Sequence, residues 1–225
     1  MDTESEQDFW ERPDVVARFA ERPPDDRLAE LLREYPAPAS TPVLDLGCAG
    51  GRNAVLLAGR GFDVHAVDAS QAMVVETRHR VAAVLGETAA AERVHLARMD
   101  DLSLFPSGTF DLVIALGVFH NAETWTDWEN AVAESDRVLA AGGRMLVAHF
   151  TPETDPTGTG VRPVPGEPHV FEGMSGGRRG TLLSVEELDY ELGRFALHPM
   201  TPTTTGTTIT ETGKRVSANG LYRKS

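Results

Sequence analysis

The sequence contains one cysteine, Cys48, in 225 residues, which excludes an intramolecular disulfide and suits a reducing compartment. No apolar run approaches the roughly 20 residues that span a bilayer, and no apolar leader follows the start, so a cytoplasmic protein without a membrane partner is expected. Bases are scarce: 21 against 34 acids, a net charge of -13. Such a surface repels phosphate backbones and anionic lipid, which argues against nucleic acid as well as membrane. The acids Asp2, Glu4, Glu6, Asp8 and Glu11 read as a solvated tail. His65, His79, His95, His120, His149, His169 and His198 are scattered and no cysteines are paired, so no metal site is expected. Neither Gly-x-Ser-x-Gly nor a P-loop is present, and no signal bears on oligomeric state.

What the chain does have is Val43-Leu-Asp-Leu-Gly-Cys-Ala-Gly-Gly-Arg-Asn53, followed by Phe62-Asp-Val-His-Ala-Val-Asp-Ala-Ser70. This reads as a buried strand, a glycine-rich turn, a helix and a second strand ending on an acid. Glycine at 47 and 51 lets backbone approach a ligand where a Cβ would collide. Cys48, within that loop, reads as a small buried residue rather than a nucleophile. Asp68 lies 23 positions after Asp45 (68 − 45), where a carboxylate can receive the two hydroxyls of a ribose. The arrangement suits a nucleoside.

Strand and helix alternate from residue 43. Strands are expected near 43–46, 63–67, 94–97, 111–116 and 144–149, and helices near 51–60, 70–85 and 126–140, the last ended by Gly142-Gly143. The pattern gives an α/β fold, a mostly parallel sheet with helices on both faces. Residues 1–40 form a tail with two cap helices, after Pro13 and after Asp25, and 41–225 form a single domain. Within it, 151–181 is rich in proline and glycine and lacks periodicity, the signature of a lid-like insertion. Ser184-Val-Glu-Glu187 opens a short helix as a capping box, and 195–204 and 214–223 read as two strands joined by a Thr/Gly-rich connection.

The order Asp45-x-Gly47-x-Ala49-x-Gly51 places an acid before the glycines. That acid would repel the pyrophosphate a dinucleotide fold seats here, but suits a cationic amino group. The segment resembles motif I of the class I S-adenosylmethionine-dependent methyltransferases, whose usual form is Asp/Glu-x-Gly-x-Gly-x-Gly; Ala49 departs at the middle glycine. Gly51-Arg52-Asn53 is similar to the thiopurine, tellurite and halide/thiol methyltransferase branch. The resemblance implies a Rossmann-like seven-stranded sheet with an antiparallel C-terminal pair, and S-adenosylmethionine as cofactor.

It also implies roles. Asp45 accepts from the ammonium group; Gly47, Ala49 and Gly51 carry backbone past the methionine part and ribose; Arg52 meets the carboxylate, unless it is simply an exposed helix arginine. Asp68, with Ala69 beside it, holds the ribose or caps the following helix. Met99 packs on the adenine and Asp100 accepts from its amino group, with Asp101 the alternative. Leu116, at the exit of the fourth strand, joins the cofactor set. Phe119 and His120 stand where the acceptor arrives, His120 as base or as a histidine tied to backbone. Trp10 and His149 border the acceptor, with Phe9 a further lid aromatic, and His169, Phe171 and Met174 line the insertion. The absence of Asn/Asp-Pro-Pro-Tyr after the fourth strand argues against DNA or glutamine as acceptor. The expected activity is direct methyl transfer to a small molecule. A non-catalytic S-adenosylmethionine-binding protein and a nucleotide-dependent oxidoreductase remain as alternatives.

Overall fold

The computed structural model describes residues 6–225. Three short helices come first: α1 (Glu6–Glu11), α2 (Pro13–Ala20) and α3 (Asp26–Leu31). Pro13 opens α2, where its missing N–H is no loss, and the Asp25 carboxylate caps α3 by accepting from Arg27 N–H. Strands and helices then alternate through β1 (Pro42–Leu46), α4 (Arg52–Gly59), β2 (Asp63–Asp68), α5 (Gln71–Leu85), α6 (Glu87–Arg93), β3 (Val94–Leu96), β4 (Phe110–Leu116), α7 (Trp125–Val138) and β5 (Leu139–Phe150). A small antiparallel sheet follows, made of β6 (Arg162–Pro163), β7 (Val170–Glu172) and β8 (Arg179–Thr181). The chain closes with α8 (Val185–Gly193), β9 (Leu197–Pro199), β10 (Thr204–Ile209) and β11 (Lys214–Lys224).

The main sheet runs β3-β2-β1-β4-β5-β11, with β10 and β9 both on the outer edge of β11. Strands β1 to β5 are parallel, and β11 is inserted antiparallel beside β5. Because β1 is covered on both faces, Val43, Leu44, Asp45 and Leu46 are all buried. Their alternation sends Val43 into one core with Leu28, Leu57, Val64 and Ile114, and Leu44 and Leu46 into the other with Phe110, Trp128 and Tyr222. The order reverses at β1, between β2 and β4, and in open α/β sheets ligands bind at such a switch point, beyond the strand ends.

Several elements differ from the sequence expectation. Gly142 and Gly143 lie inside β5 rather than ending α7; the helix stops at Val138, and a register shift between Phe110 and Leu112 accommodates the longer strand. Helix α6 was not expected, since Glu-Thr-Ala-Ala-Ala-Glu-Arg lacks an apolar stripe. The Thr/Gly-rich connection is itself β10, an edge strand exposed on both faces, so no burial pattern marks it. The insertion contains β6, β7 and β8, strands too short for periodicity to reveal. Among the described residues no helix is long and apolar enough to cross a membrane.

Candidate functional site

The turn leaving β1 is bonded to β2: the Gly47 and Cys48 N–H groups both donate to Val67 O, at 2.9 and 3.0 Å. Gly47 has φ +68°, and a Cβ there would sit 2.6 Å from Val118 Cγ2. Gly50, to which the sequence assigned no role, is required by packing: its Cβ would stand 2.5 Å from Ala20 Cα, so α2 lies directly on the loop. Ala49 adopts φ +48°, the left-handed region where glycine is at home. Its carbonyl accepts from Thr77 Oγ1 at 2.6 Å.

Two carboxylates face this loop. Asp45 is 2% exposed, and its Oδ2 has no hydrogen-bond partner. Burial, joined by the nearby Asp68, pushes its pKa up to about 7 against the pull of Arg52. Asp68 is also deeply enclosed, and burial raises it too, although both its oxygens accept from backbone: Oδ2 from Ala49 N–H at 2.8 Å and Oδ1 from Ser70 N–H at 2.9 Å. Ser70 caps α5 through Met73 N–H, and its hydroxyl donates to Trp10 O at 3.1 Å. Glu11 completes the cap by accepting from Gln71 N–H and Ala72 N–H, at 2.7 and 3.0 Å. That fastens α1 to the start of α5.

These groups bound a cavity of about 780 Å³ at the ends of β1, β2 and β4, within the usual range for small-molecule sites. Of the expected residues, Asp45, Gly47, Ala49, Arg52, Asp68, Ala69, Met99, Asp100, Leu116 and Trp10 line it. Gly51 stands beneath the loop as the N-cap of α4, at φ +77° beside Thr77. Arg52 donates to Pro23 O at 3.2 Å. Asp100 is gripped through both oxygens by Arg98, at 2.8 and 2.9 Å. Asp101 lies off the cavity, accepting from Ser103 N–H. Cys48 lines the wall, and burial pushes its thiol well up, so it carries no thiolate.

The structure does not bring Phe119, His120 or His149 to the cavity wall. Phe119 is wholly buried, edge-on to Trp128 at 6.5 Å. His120 sits one layer back, its ring stacked on Phe150 at 3.8 Å and its Cε1 3.6 Å from where a Gly117 Cβ would be. Burial, with His149 adding to it, holds His120 well below the usual imidazole range, and its buried Nδ1 has no partner. His149 accepts from Trp128 Nε1–H at 2.9 Å while its Nδ1 lies 3.0 Å from Phe150 O, an arrangement that fits a neutral ring with the proton on Nδ1. Burial takes its pKa down to about 3. His120 is expected at the acceptor because it follows the fourth strand, but the short 3-10 turn Phe119–Asn121 takes it into the core; His149, expected there as the end of the fifth strand, lies inside β5 and is fully buried.

In their place the wall carries Phe19, Asn121, Glu123 and Asp127, with Glu172, Arg178 and Arg179 from the insertion. The insertion residues expected there, His169, Phe171 and Met174, are not part of the wall: the His169 ring tilts against Trp125 at 4.8 Å with its Nδ1 3.6 Å from Glu187 Oε1, and Met174 is buried. No periodic signal distinguished Arg178 from its neighbours. Thr124, a recognisable N-cap for α7, could have flagged Asp127, whose N–H its hydroxyl accepts.

Residues 44–147 match the family described as a methyltransferase domain. The chain is 34% identical over 113 residues to the demethylmenaquinone methyltransferase of Thermus thermophilus, covering 49% of this chain and 47% of that protein. It spans about half the length of the curated relatives it matches. Solved structures of the same fold include magnesium protoporphyrin IX methyltransferase from Synechocystis with S-adenosylhomocysteine bound (TM-score 0.67, 18% identity, 97% of each chain). Another is the 1,6-didemethyltoxoflavin-N1-methyltransferase of Burkholderia thailandensis, solved with 1,6-didemethyltoxoflavin and S-adenosylhomocysteine (TM-score 0.64, 18% identity, 97% of this chain and 81% of that one).

Proposed function

We propose that this chain is a class I methyltransferase that transfers a methyl group from S-adenosylmethionine to a small-molecule acceptor, a reading supported by the match of residues 44–147 to the methyltransferase-domain family. The observation that carries the reading is Asp45, a buried carboxylate with an unpartnered oxygen at the wall of a cavity whose floor has no room for a Cβ at Gly47. A carboxylate with a free oxygen there is complementary to an ammonium group and, when ionised, repels a pyrophosphate.

In this reading Asp45 receives the ammonium, the Gly47–Gly51 backbone follows the methionine part and ribose, and Arg52 faces the carboxylate. Asp68 takes the ribose hydroxyls on the lone pairs left after Ala49 and Ser70, with Ala69 alongside. Met99 and Asp100 hold the adenine, and Leu116 lies toward the sulfur. When bound, S-adenosylmethionine supplies a methyl group already activated by its sulfonium. The protein's share is then alignment and exclusion of water, served by Trp10, Phe19 and residues 177–179 at the cavity wall. Residues 6–40 act as a cap on a domain of residues 41–225, and 151–181 as its lid; the first five residues of the expected tail lie outside the described residues. His120, neutral and behind Gly117, is not needed as a base. The substrates named for the relative and the two solved enzymes are small molecules, which supports the acceptor class.

Thermal shift with S-adenosylmethionine, S-adenosylhomocysteine and NAD tests the cofactor. Stabilisation by the first two is expected, and stabilisation by NAD alone overturns the reading. Release of S-adenosylhomocysteine during an acceptor screen separates an enzyme from a binding protein.

A further inference from the structure

A chain of contacts links the end of β2 to the exit of β4 through residues outside the main sheet. On the β2 side, the Ser70 hydroxyl donates to Trp10 O at 3.1 Å, and Glu11 accepts from Gln71 N–H and Ala72 N–H. On the β4 side, β8 is seated on the turn Phe119–Asn121. A Cβ at Gly180 would stand 2.6 Å from His120 O, and Thr181 Oγ1 donates to Ala122 O at 3.0 Å in a buried bond. The two sides meet where Arg178 lies over the Phe9 ring at 4.8 Å and the Trp10 ring at 5.4 Å. Ser70, Trp10, Arg178 and Ala122 all line the cavity. Because β1 stands between β2 and β4 in the sheet, these contacts complete a ring around the cavity at the end of β1.

The links of the ring are unequal. Each flank is held by hydrogen bonds to backbone, and the one at Thr181 is buried. The joint between them is a guanidinium resting on two ring faces, a contact that parts without stranding a polar group, because water takes up the donors. The backbone beside that joint is also free to turn. Gly176 and Gly177 precede Arg178 at φ +79° and +74°, and a Cβ at Gly177 would meet nothing within 4 Å. Gly180, just beyond Arg178, is wedged against His120 O instead. A hinge is made of a few such residues beside an element that stays fixed. The other cover, α2, offers no comparable opening, since it presses on the loop with Ala20 Cα 2.5 Å from where a Gly50 Cβ would be.

We propose that Arg178 is the latch of this ring: cofactor and product pass between α1 and the insertion when its guanidinium parts from Phe9 and Trp10, with Gly176-Gly177 as the hinge. What passes is assigned by the methyltransferase reading, on which the proposal rests. A latch that must break in both directions slows entry and exit alike. The test measures association and dissociation of S-adenosylhomocysteine by surface plasmon resonance on the full chain, for wild type, Arg178→Gln, Phe9→Leu and the double variant. Phe9 does not line the cavity, so Phe9→Leu loosens the latch without touching the ligand. Both rates should rise by about fivefold in each single variant, as loss of one such contact implies. The Kd of Phe9→Leu should stay within about twofold of wild type. The double variant should be no faster than Arg178→Gln, since both changes break one contact. Wild-type rates in both single variants overturn the proposal, and so does a double variant whose two effects multiply. Faster dissociation with unchanged association in Arg178→Gln also overturns it, by assigning Arg178 to the ligand itself. Failure of S-adenosylhomocysteine to bind wild type sinks the methyltransferase reading instead. Limited proteolysis with proteinase K then reports on the latch alone: Phe9→Leu and Arg178→Gln should be cut faster than wild type between residues 173 and 179, and equal cutting overturns the proposal.

Discussion

The Asp68 carboxylate accepts a 2.8 Å hydrogen bond from the Ala49 N–H, tying the tip of β2 to a loop residue held at φ +48°. One side chain thereby sets the shape of the glycine loop and, through Ser70, the start of α5. Asp68→Ala leaves two amide groups without their acceptor, each loss worth about 1–3 kcal/mol, although removing a buried carboxylate offsets part of it. A net loss near 1 kcal/mol is expected, about 2–4 °C in Tm for a chain of this size. The loss of S-adenosylhomocysteine affinity should be larger, at least about tenfold or 1.4 kcal/mol. Calorimetry on the folded variant checks this, and an unchanged Kd refutes the ribose role.

Ala49→Gly tests the strain in the same loop. A left-handed alanine costs about 1–2 kcal/mol, and the freer unfolded glycine returns about 0.4–1 kcal/mol. The variant should gain about 0.5 kcal/mol in a urea titration, with cofactor binding retained. A loss of stability would show that the Ala49 methyl contributes packing that outweighs its backbone conformation.

Asp45→Asn should separate stability from binding. Because the folded pKa, about 7, is above the ordinary 3.8, the folded state holds the proton more tightly than the unfolded chain. The stabilisation from this group is complete below pH 3.8 and lost as pH rises through about 7. At pH 8 the wild type therefore carries an ionised, buried carboxylate with one oxygen unpartnered, and the asparagine variant should be more stable by about 2–4 kcal/mol. Its S-adenosylmethionine affinity should fall, because the charge complementary to the ammonium is gone. In wild type, affinity should weaken as pH drops from 8 to 6. A pH-independent Kd would remove Asp45 from the site.

Glu11→Ala addresses the fastening of α1. The Glu11 carboxylate accepts from two N–H groups at the start of α5, and loss of such a cap costs about 1 kcal/mol. Limited proteolysis should cut faster near residue 12, and added S-adenosylhomocysteine should restore less protection than in wild type. Cutting at the wild-type rate would show that Trp10 and Phe19 hold the segment without it.

Glu11 also shows where the sequence stopped being informative. In the chain it reads as one of five acids in a solvated tail; only the fold brings it to residue 71. Asp45, Gly47 and Asp68 were legible because strand, turn and helix are contiguous, so spacing alone fixes their relation. Asp100 was legible for the same reason, from its position just beyond β3. The far wall was not. Phe19, Asp127 and Arg178 come from three distant segments whose meeting depends on how α2, α7 and the insertion pack, and none follows a periodic pattern. His120 and His149 differ for the opposite reason, since a position at or just beyond the end of a strand does not decide whether a side chain turns toward the cavity or the core.

His149 makes that difference measurable. Its ring accepts from Trp128 Nε1–H, which requires an unprotonated Nε2, and burial brings its pKa to about 3. The folded state stays neutral where the unfolded chain binds a proton, so the contribution to stability is full above pH 6.5 and lost as pH falls from 6.5 toward about 3. One proton corresponds to about 1.4 kcal/mol per pH unit, so between pH 7 and 5 this residue alone accounts for about 2 kcal/mol. His149→Gln can keep an acceptor for Trp128 but cannot titrate. Its stability difference between pH 7 and 5, from urea titrations, should be smaller than wild type's by about that amount. Asp45 and His120 contribute to both proteins and cancel in the comparison. Equal differences in the two proteins would mean that His149 is protonated in the folded state, and with it that the buried Trp128 hydrogen bond is made some other way.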